Sequence, residues 1–270
     1  MLEFSQINMS EFDLKFTLIL IILVFSICSI IFFLATLTKR IFKIKEDKKK
    51  KLFQIEIDKV LFGIMFDQDG GKHFTVHGKS TLFKKLMIKS LIGHHDNFSG
   101  ISAVKMEEFF VKSGLVNYSL SKIRSRSWVD VVEGMRDLSS LNYKKAYLEI
   151  LKISFEGNDI VHQEKLLARI RLNGLQELHE FKSSKVYFND WTQSNIIFVV
   201  KKHRVPNDDL LPDLLYATNK SISLLAIRLI DYYQDLSQME ALREFKIITK
   251  NKKLQAEIDF LLKVKTLPQV

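Results

Sequence analysis

The longest apolar run in the chain constrains its architecture most. From Phe16 to Leu37, twenty-two consecutive residues include no charged side chain, Pro or Gly. At a rise of about 1.5 Å per residue, an α-helix of this length reaches about 33 Å, enough to cross a hydrocarbon core of roughly 30 Å. The run therefore predicts one transmembrane helix. No later stretch is apolar for as long, so we expect the rest of the chain on one side of the membrane.

The charges that flank this run predict its orientation. The tail of residues 1–15 carries three acidic residues against Lys15 alone. Eight basic residues follow the run: Lys39, Arg40, Lys43, Lys45, Lys48, Lys49, Lys50 and Lys51. Because basic flanks stay on the cytoplasmic side, we expect residues 1–15 outside and residues 38–270 in the cytoplasm. A cleaved signal peptide is the alternative, but the start is acidic and no small-residue cleavage site follows the run.

The eight basic residues of 39–51, here called the polybasic segment, have two interpretations. Topology alone requires positive charge at this place. The same side chains can also bind anionic lipid headgroups, at about 1 kcal/mol for each basic residue near the surface. No nucleic-acid-binding motif, and no interleaving of Arg with aromatic residues, accompanies them. We therefore expect a membrane partner for this segment and no nucleic acid.

Composition favours an all-α fold. The chain has only 10 Gly and 3 Pro, with 47% hydrophobic and 27% charged residues, which is typical of long helices rather than of turn-rich sheets. The one cysteine, Cys28, lies inside the predicted span, which excludes an intramolecular disulfide framework and a cysteine-based zinc site. Beyond the anchor, about 230 residues remain, enough for a sizeable core or a short solenoid.

The strongest local motif is Gly78-Lys79-Ser80-Thr81, which ends the loop of residues 67–78. A phosphate-binding loop ends in Gly-Lys-Ser or Gly-Lys-Thr because its amides and Lys hold the phosphates while the hydroxyl holds magnesium. Here His73 stands where the first Gly belongs, and no apolar strand precedes the loop. We therefore interpret Ser80 or Thr81 as the N-cap of a helix over residues 82–93. Nucleotide binding, or an enzymatic accessory role, remains the alternative function.

A metal site is not expected in the same loop. His73 and His77 are four residues apart but lack the intervening Glu of a zinc hydrolase. Asp67 and Asp69 miss the spacing of a calcium loop, because later ligand positions fall on Gly. The sequence predicts no catalytic, cofactor or metal site, and hence no enzyme.

After residue 97 the chain has the pattern of short amphipathic helices between small polar breaks. A helix over 52–66 continues from the membrane, and ten more are predicted over residues 102–113, 127–141, 144–155, 160–172, 175–181, 191–203, 208–217, 221–233, 239–248 and 253–264. The breaks fall at Gly114, 157–158, Gly174, 206–207, 218–219 and Asn251, as helix caps require.

Two stretches, residues 146–172 and 209–230, share one pattern of two helices around an Asn-containing break. Their Ala168 and Ala226 are 58 residues apart, which leaves room for a degenerate unit at 175–202. Helical pairs that repeat every ~30–40 residues are typical of an α-solenoid. The pattern resembles HEAT repeats, including Pro212 in a first helix. We predict a short, degenerate HEAT-like solenoid over 97–270, of the armadillo type, joined to the anchor by residues 38–96.

Several strings extend this resemblance. They are NFSG at 97–100, the break at 114–115, LSKIRSRSW at 120–128, GMRDLSSL at 134–141 and Asp190-Trp191 with Gln193. They are similar to those of bacterial single-pass membrane proteins with a cytoplasmic HEAT-repeat domain. The resemblance implies location in the bacterial inner membrane and a place beside membrane glycosyltransferases of polysaccharide synthesis. It implies no catalytic residue.

The candidate partner-binding residues are basic: Arg124, Arg126, Lys201, Lys202, His203 and Arg204. They could contact an acidic partner or anionic lipid, although solvated helix ends explain them equally well. Trp128 and Trp191 invite an interface interpretation; packing of one repeat against the next is the favoured one. The predicted function is a membrane-anchored cytoplasmic adaptor or scaffold that binds protein partners through its helical surface.

Overall fold

The computed structural model describes residues 11–66, 74 and 78–264, and the side chains of 15–66, 74 and 78–262. All regular structure in these residues is helical, which confirms the predicted all-α class. The α-helices are α1 Glu11–Met65, α2 Thr81–His95, α3 Ile101–Lys112, α4 Leu115–Ile123, α5 Trp128–Ser140, α6 Tyr147–Leu151, α7 Asp159–Asn173, α8 Asp190–Lys202, α9 Lys220–Tyr233, α10 Leu236–Ile248 and α11 Lys252–Val264. Short 3₁₀ helices cover Lys144–Ala146, Leu175–Phe181 and Leu211–Tyr216.

Helix α1 contains the predicted span and continues well past it. Its apolar side chains are exposed along the run, with Phe25 72% and Phe32 78% accessible. Among the described residues it is the one helix long and apolar enough to cross a membrane. The helix runs on without a break to Met65. The predicted helix over 52–66 is therefore confirmed as part of α1.

The chain forms two compact units, Met1–Glu56 and Ile57–Val270. In the second unit, predicted breaks act as helix caps. Ser80 Oγ accepts a hydrogen bond from Phe83 N at the start of α2, and Asn158 Oδ1 accepts one from Val161 N at the start of α7. Gly114, in the left-handed region with φ of 83°, separates α3 from α4.

Helices α4 and α5 pack at unusually short range around Gly134. A Cβ at this position would lie 2.8 Å from Ile123 Cγ2 and 2.9 Å from Ser119 O. The absence of a side chain therefore allows the two helices to approach closely. The approach places Lys122 Nζ 2.8 Å from Asp137 Oδ2, and both side chains are buried.

The last third of the unit is organised around α9. Nine of its residues are buried between Ser221 and Ile230, so the helix is covered on nearly every side. Residues from α7, α8, α10, α11 and the last two 3₁₀ helices join them in one apolar cluster, here called the C-terminal core. Ala168 and Ala226, which marked the sequence repeat, are both fully buried.

Some predicted helices have different bounds. The helix predicted over 144–155 ends at Leu151, because Lys165 Nζ donates to the carbonyls of Leu151 and Ile153 and so terminates it. The helix predicted over 208–217 is only the 3₁₀ helix Leu211–Tyr216, since Asp208 Oδ1 accepts from Leu210 N in a competing local turn. Helix α4 was not predicted.

Candidate functional site: a cleft between four helices

A cleft of about 830 Å³ in the second unit is the candidate site, here called the central cleft. Its walls come from α2, α5, α7 and α8. Each helix contributes residues three or four apart, which is one helical face. The four stripes begin at Lys85, Glu133, Ile160 and Trp191 and end at Ile92, Ser140, Arg171 and His203.

The four helices run in the same direction along this cleft. A smaller pocket of about 260 Å³ shares Ser140, Arg171, Lys202 and His203 with it. That pocket is lined by the last turn or C-cap of each of the four helices. Residue numbers therefore rise along every wall towards the same end. Because helix C-termini carry partial negative charge, the basic side chains gathered there stabilise this end.

Ion pairs between helices define the floor. Glu164, whose side chain is 4% exposed, accepts from Arg136 Nε at 2.7 Å and lies 2.9 Å from an Arg171 terminal nitrogen. The same arginine nitrogen donates to Ser139 Oγ. Glu133 contacts Lys85 at 3.3 Å and Lys122 at 3.1 Å. The carboxylates of the cleft are thus neutralised by cations from neighbouring helices and, for Glu164, also by Arg171 of its own helix α7.

Three buried polar atoms around the cleft have no hydrogen-bond partner among the described residues. Two are donors, Gln163 Nε2 and Arg171 Nε; the third is Asp96 Oδ1 in the smaller pocket. Lys89 also lines the cleft without a protein partner in the part of the chain that the structure describes. Each unpaired buried group lowers stability by about 1–3 kcal/mol unless a ligand or water satisfies it.

Large apolar side chains stand open beside these donors. Trp191 is 71% exposed, Phe198 60% and Ile160 51%. The packing interpretation is therefore wrong for Trp191, which lies on the cleft wall; Trp128 is 41% exposed. Exposed aromatic side chains next to hydrogen-bonding groups are typical of binding surfaces.

His203 lies where the two pockets meet. Burial, together with the nearby positive charge of Arg171, lowers the pKa of His203 to about 4, although Asp96 acts in the opposite direction. The imidazole is therefore neutral at pH 7 and is not one of the cations of this site.

The four predicted basic residues 201–204 have different surroundings. Lys201 Nζ lies over the Tyr232 ring at 5.2 Å, and Lys202 Nζ is 2.8 Å from Asp96 Oδ2. Arg204 is exposed at the end of α8 with φ of 49°. Lys202 and His203 line the central cleft, and Arg204 lines the smaller pocket.

The other candidate arginines lie outside both pockets. Arg124 forms a bidentate ion pair with Glu149, with nitrogen–oxygen distances of 2.8–3.1 Å. Arg126 is exposed. The structure thus brings Lys202, His203 and Arg204 together but not the two arginines of 124–126.

Lys79 and Ser80 of the Gly78-Lys79-Ser80 loop contact the first turn of α2. Ser80 caps α2, as predicted, and Lys79 Nζ lies 5.0 Å from the Phe83 ring centroid. His73, His77, Asp67 and Asp69 fall outside the described residues. Within those that are described, no cluster of three metal-ligating side chains occurs. Nucleotide binding stays a prediction.

The polybasic segment is an exposed part of α1. Its side chains project from a continuous helix. Lys50 pairs with Glu46 at 2.8 Å and with Asp47 at 3.8 Å. Exposed pairs of this kind contribute little to stability.

Sequence reasoning missed Asp96, Glu164 and Arg171 as site residues. A usable signal existed in the spacing of Trp191, Asn195, Phe198 and Lys202, which places two aromatic residues and a lysine on one face of α8. No comparable signal pairs Glu164 with Arg136, because the two are 28 residues apart.

No family model, curated protein or solved structure matches this chain.

Proposed function

We propose that this protein is a single-pass membrane adaptor whose helical unit binds a protein partner in the central cleft. The observation that carries the proposal is the cleft itself, which combines exposed aromatic side chains with unpaired buried donors. Helix α1 supplies a span of suitable length and polarity. Tethering raises the effective concentration of a weakly bound membrane partner without any new contact.

The direction of the cleft helices supports a HEAT-like arrangement. In an α-solenoid, equivalent helices of successive repeats run parallel and line one concave face. Helices α5, α7 and α8 share one direction along the cleft and are separated by short returning elements. These returning elements are short, since α6 has five residues and the 3₁₀ helix Leu175–Phe181 has seven. We infer a degenerate solenoid rather than a regular superhelix.

The proposed location is the bacterial inner membrane, with the helical unit in the cytoplasm, because the basic flank follows the span. The sequence resemblance makes a membrane glycosyltransferase of polysaccharide synthesis the first partner to test.

Anionic lipid is the second proposed partner. Because α1 is continuous, basic residues farther along it lie farther from the membrane, and we expect them to bind headgroups more weakly. At about 1.5 Å per residue, Lys39 lies about 3 Å and Lys51 about 21 Å beyond Leu37 along the helix. Charges far beyond the roughly 8 Å screening length interact weakly with headgroups. Replacing Lys39, Arg40 and Lys43 by Gln should therefore reduce the preference of the protein for phosphatidylglycerol. The same replacement of Lys48, Lys49 and Lys51 should reduce it less. Spin-labelled lipids in reconstituted vesicles measure this; equal losses would contradict it.

Co-purification from native membranes tests the adaptor itself. Three chains are compared: the full chain, one with residues 16–37 replaced by an unrelated apolar span, and one with these residues deleted. We expect the same partner with the first two and much less with the third, when all are folded and equally abundant. Absence of any partner above an unrelated single-pass control would overturn the proposal. Loss with the replaced span would show instead that residues 16–37 are a specific binding surface.

A further inference from the structure

The central cleft offers hydrogen-bond donors more than acceptors. Its lining has five cationic side chains, Lys85, Lys89, Arg136, Arg171 and Lys202, and three carboxylates. Both oxygens of Glu164 and both of Glu133 already contact Lys or Arg, and Asp137 accepts from Lys122 and Ser119. Four of the cations are paired in turn with carboxylates, and among the described residues Lys89 is the cation of the lining without such a partner. Its positive charge complements a negatively charged acceptor.

Two buried donors on α7 add to this preference. The Arg171 side chain is only 9% exposed, and its Nε has no partner among the described residues. Gln163 Nε2, two helical turns away on α7, is likewise unpaired. Both residues line the same cleft as Lys89. An incoming carboxylate would satisfy one of these donors by a charge-assisted hydrogen bond, the stronger class.

The remaining surface requires apolar groups on the same ligand. Trp191 and Phe198 are two turns apart on α8, and Ile160 adds an exposed aliphatic side chain on α7. From Trp191 to Lys202 the wall extends about 16 Å, the length of about five residues of extended peptide. An inorganic anion would leave this wall uncovered, whereas a peptide segment would cover it.

We propose that the central cleft binds a segment of a partner protein in which an Asp or Glu carboxylate lies beside apolar side chains. The carboxylate pairs with Lys89 and accepts a hydrogen bond from one of the two α7 donors, Arg171 Nε or Gln163 Nε2, and the apolar side chains pack on Trp191 and Phe198. This assignment rests on the proposed adaptor function and names the chemistry of its partner.

Photo-crosslinking in native membranes tests the site with the full chain. A benzophenone amino acid replaces Phe198 in one chain and, in a control, Ile247, which is 85% exposed on α10. We expect a protein cross-link from position 198 and not from position 247. Mass spectrometry of the product then identifies the cross-linked segment of the partner and its Asp or Glu.

Charge variants connect that product to the carboxylate. Lys89→Glu should reduce the cross-link at position 198 at least about fivefold, because it places like charges together. Lys145→Glu makes the same charge change at another exposed lysine and should leave the yield unchanged. Since both lysines are exposed, neither change should alter the unfolding temperature. Replacing the identified partner Asp or Glu by Lys should restore the cross-link with the Lys89→Glu chain.

The outcomes separate the two proposals. A cross-link to lipid, a segment without a carboxylate, or a yield that Lys89→Glu leaves unchanged would overturn the carboxylate assignment. Failure of the charge exchange to restore the product would do the same. If position 198 gives no protein product while co-purification persists, the cleft is not the binding surface; the adaptor role then stands, but the partner binds elsewhere on the chain. Loss of both results would overturn both.

Discussion

The central cleft and the C-terminal core are made of helices of similar length with opposite linings. Around the cleft, charged groups such as Lys122, Asp137 and Glu164 are buried and paired with residues from other helices. In the C-terminal core, α9 buries a nearly continuous apolar stretch from Ile222 to Ile230. Apolar packing stabilises in proportion to the surface it removes from water. Buried ion pairs stabilise little in net terms but lose much when only one partner is removed.

This contrast bears on where a ligand can bind. The C-terminal core is closed, with Leu225, Ala226 and Ile227 fully buried. The helices of the cleft are connected at its floor by polar contacts, while its wall keeps Trp191 and Phe198 exposed. Polar contacts determine the register of the helices, and the apolar surface left uncovered between them is the part that a partner can bury.

The largest expected effect comes from breaking one buried pair. Lys122→Met leaves Asp137 buried without its cation and should lower the free energy of unfolding by about 3–5 kcal/mol. The double variant Lys122→Met with Asp137→Leu should recover most of this loss, because no charge is then left unpaired. Denaturant unfolding of the full chain in detergent, followed by circular dichroism, measures both. A single variant within about 1 kcal/mol of wild type would show that the pair is hydrated.

Removing volume from the C-terminal core should have the next largest effect. Leu225 is fully buried, so Leu225→Ala should lower the free energy of unfolding by about 2–5 kcal/mol through lost burial and a cavity. Trp191→Ala, at a 71% exposed position, is the matched removal of a large apolar side chain from the cleft wall. It should change the same free energy by no more than about 0.5 kcal/mol. Similar losses in the two variants would contradict the contrast between the regions.

Much of the fold followed from local sequence rules, whereas the site did not. The long apolar helix, the N-cap Ser80 and the breaks at Gly114 and Asn158 depend on neighbouring residues, so they could be predicted. Helix α4 was not predicted, because its nine residues are too few for a clear helical pattern. The cleft depends on contacts such as Lys202 with Asp96, which join residues far apart in the chain. Lys202 was selected for its charge, but its partner could not be inferred.

A smaller effect is expected where α4 and α5 approach. Gly134→Ala would place a methyl group within 3 Å of Ser119 O and the Lys122 side chain, and should destabilise the protein by about 1–3 kcal/mol. Gly93, exposed on α2 with no atom within 4 Å of an added Cβ, is the control. Gly93→Ala should instead stabilise the protein by about 0.5–1 kcal/mol, through helix propensity. Unfolding curves give the sign of the change in stability for each variant, and opposite signs separate steric crowding from helix propensity. Equal signs would exclude the close approach of α4 and α5 at Gly134.

The smallest expected effect is a pH dependence of stability that arises from His203 in the cleft. His203 has its pKa lowered to about 4 from an ordinary value of 6.5, first because burial disfavours the charged form and then because Arg171 is near. Asp96 opposes this shift, whereas Lys202 and His95 add to it. Between these two pKa values the unfolded chain binds more protons at this position than the folded chain. Stability is therefore fully present above about pH 6.5 and is lost as pH falls towards 4.

Between pH 7.5 and 5.5 this histidine should lower the free energy of unfolding by about 1 kcal/mol. His203→Gln removes that component and should flatten the pH dependence of unfolding over this interval. His162→Gln, at an exposed position on α7, controls for the loss of an imidazole. If both variants keep the wild-type slope, His203 is hydrated in the folded protein. The junction of the two pockets would then be open to water, and burial would not lower the pKa of His203.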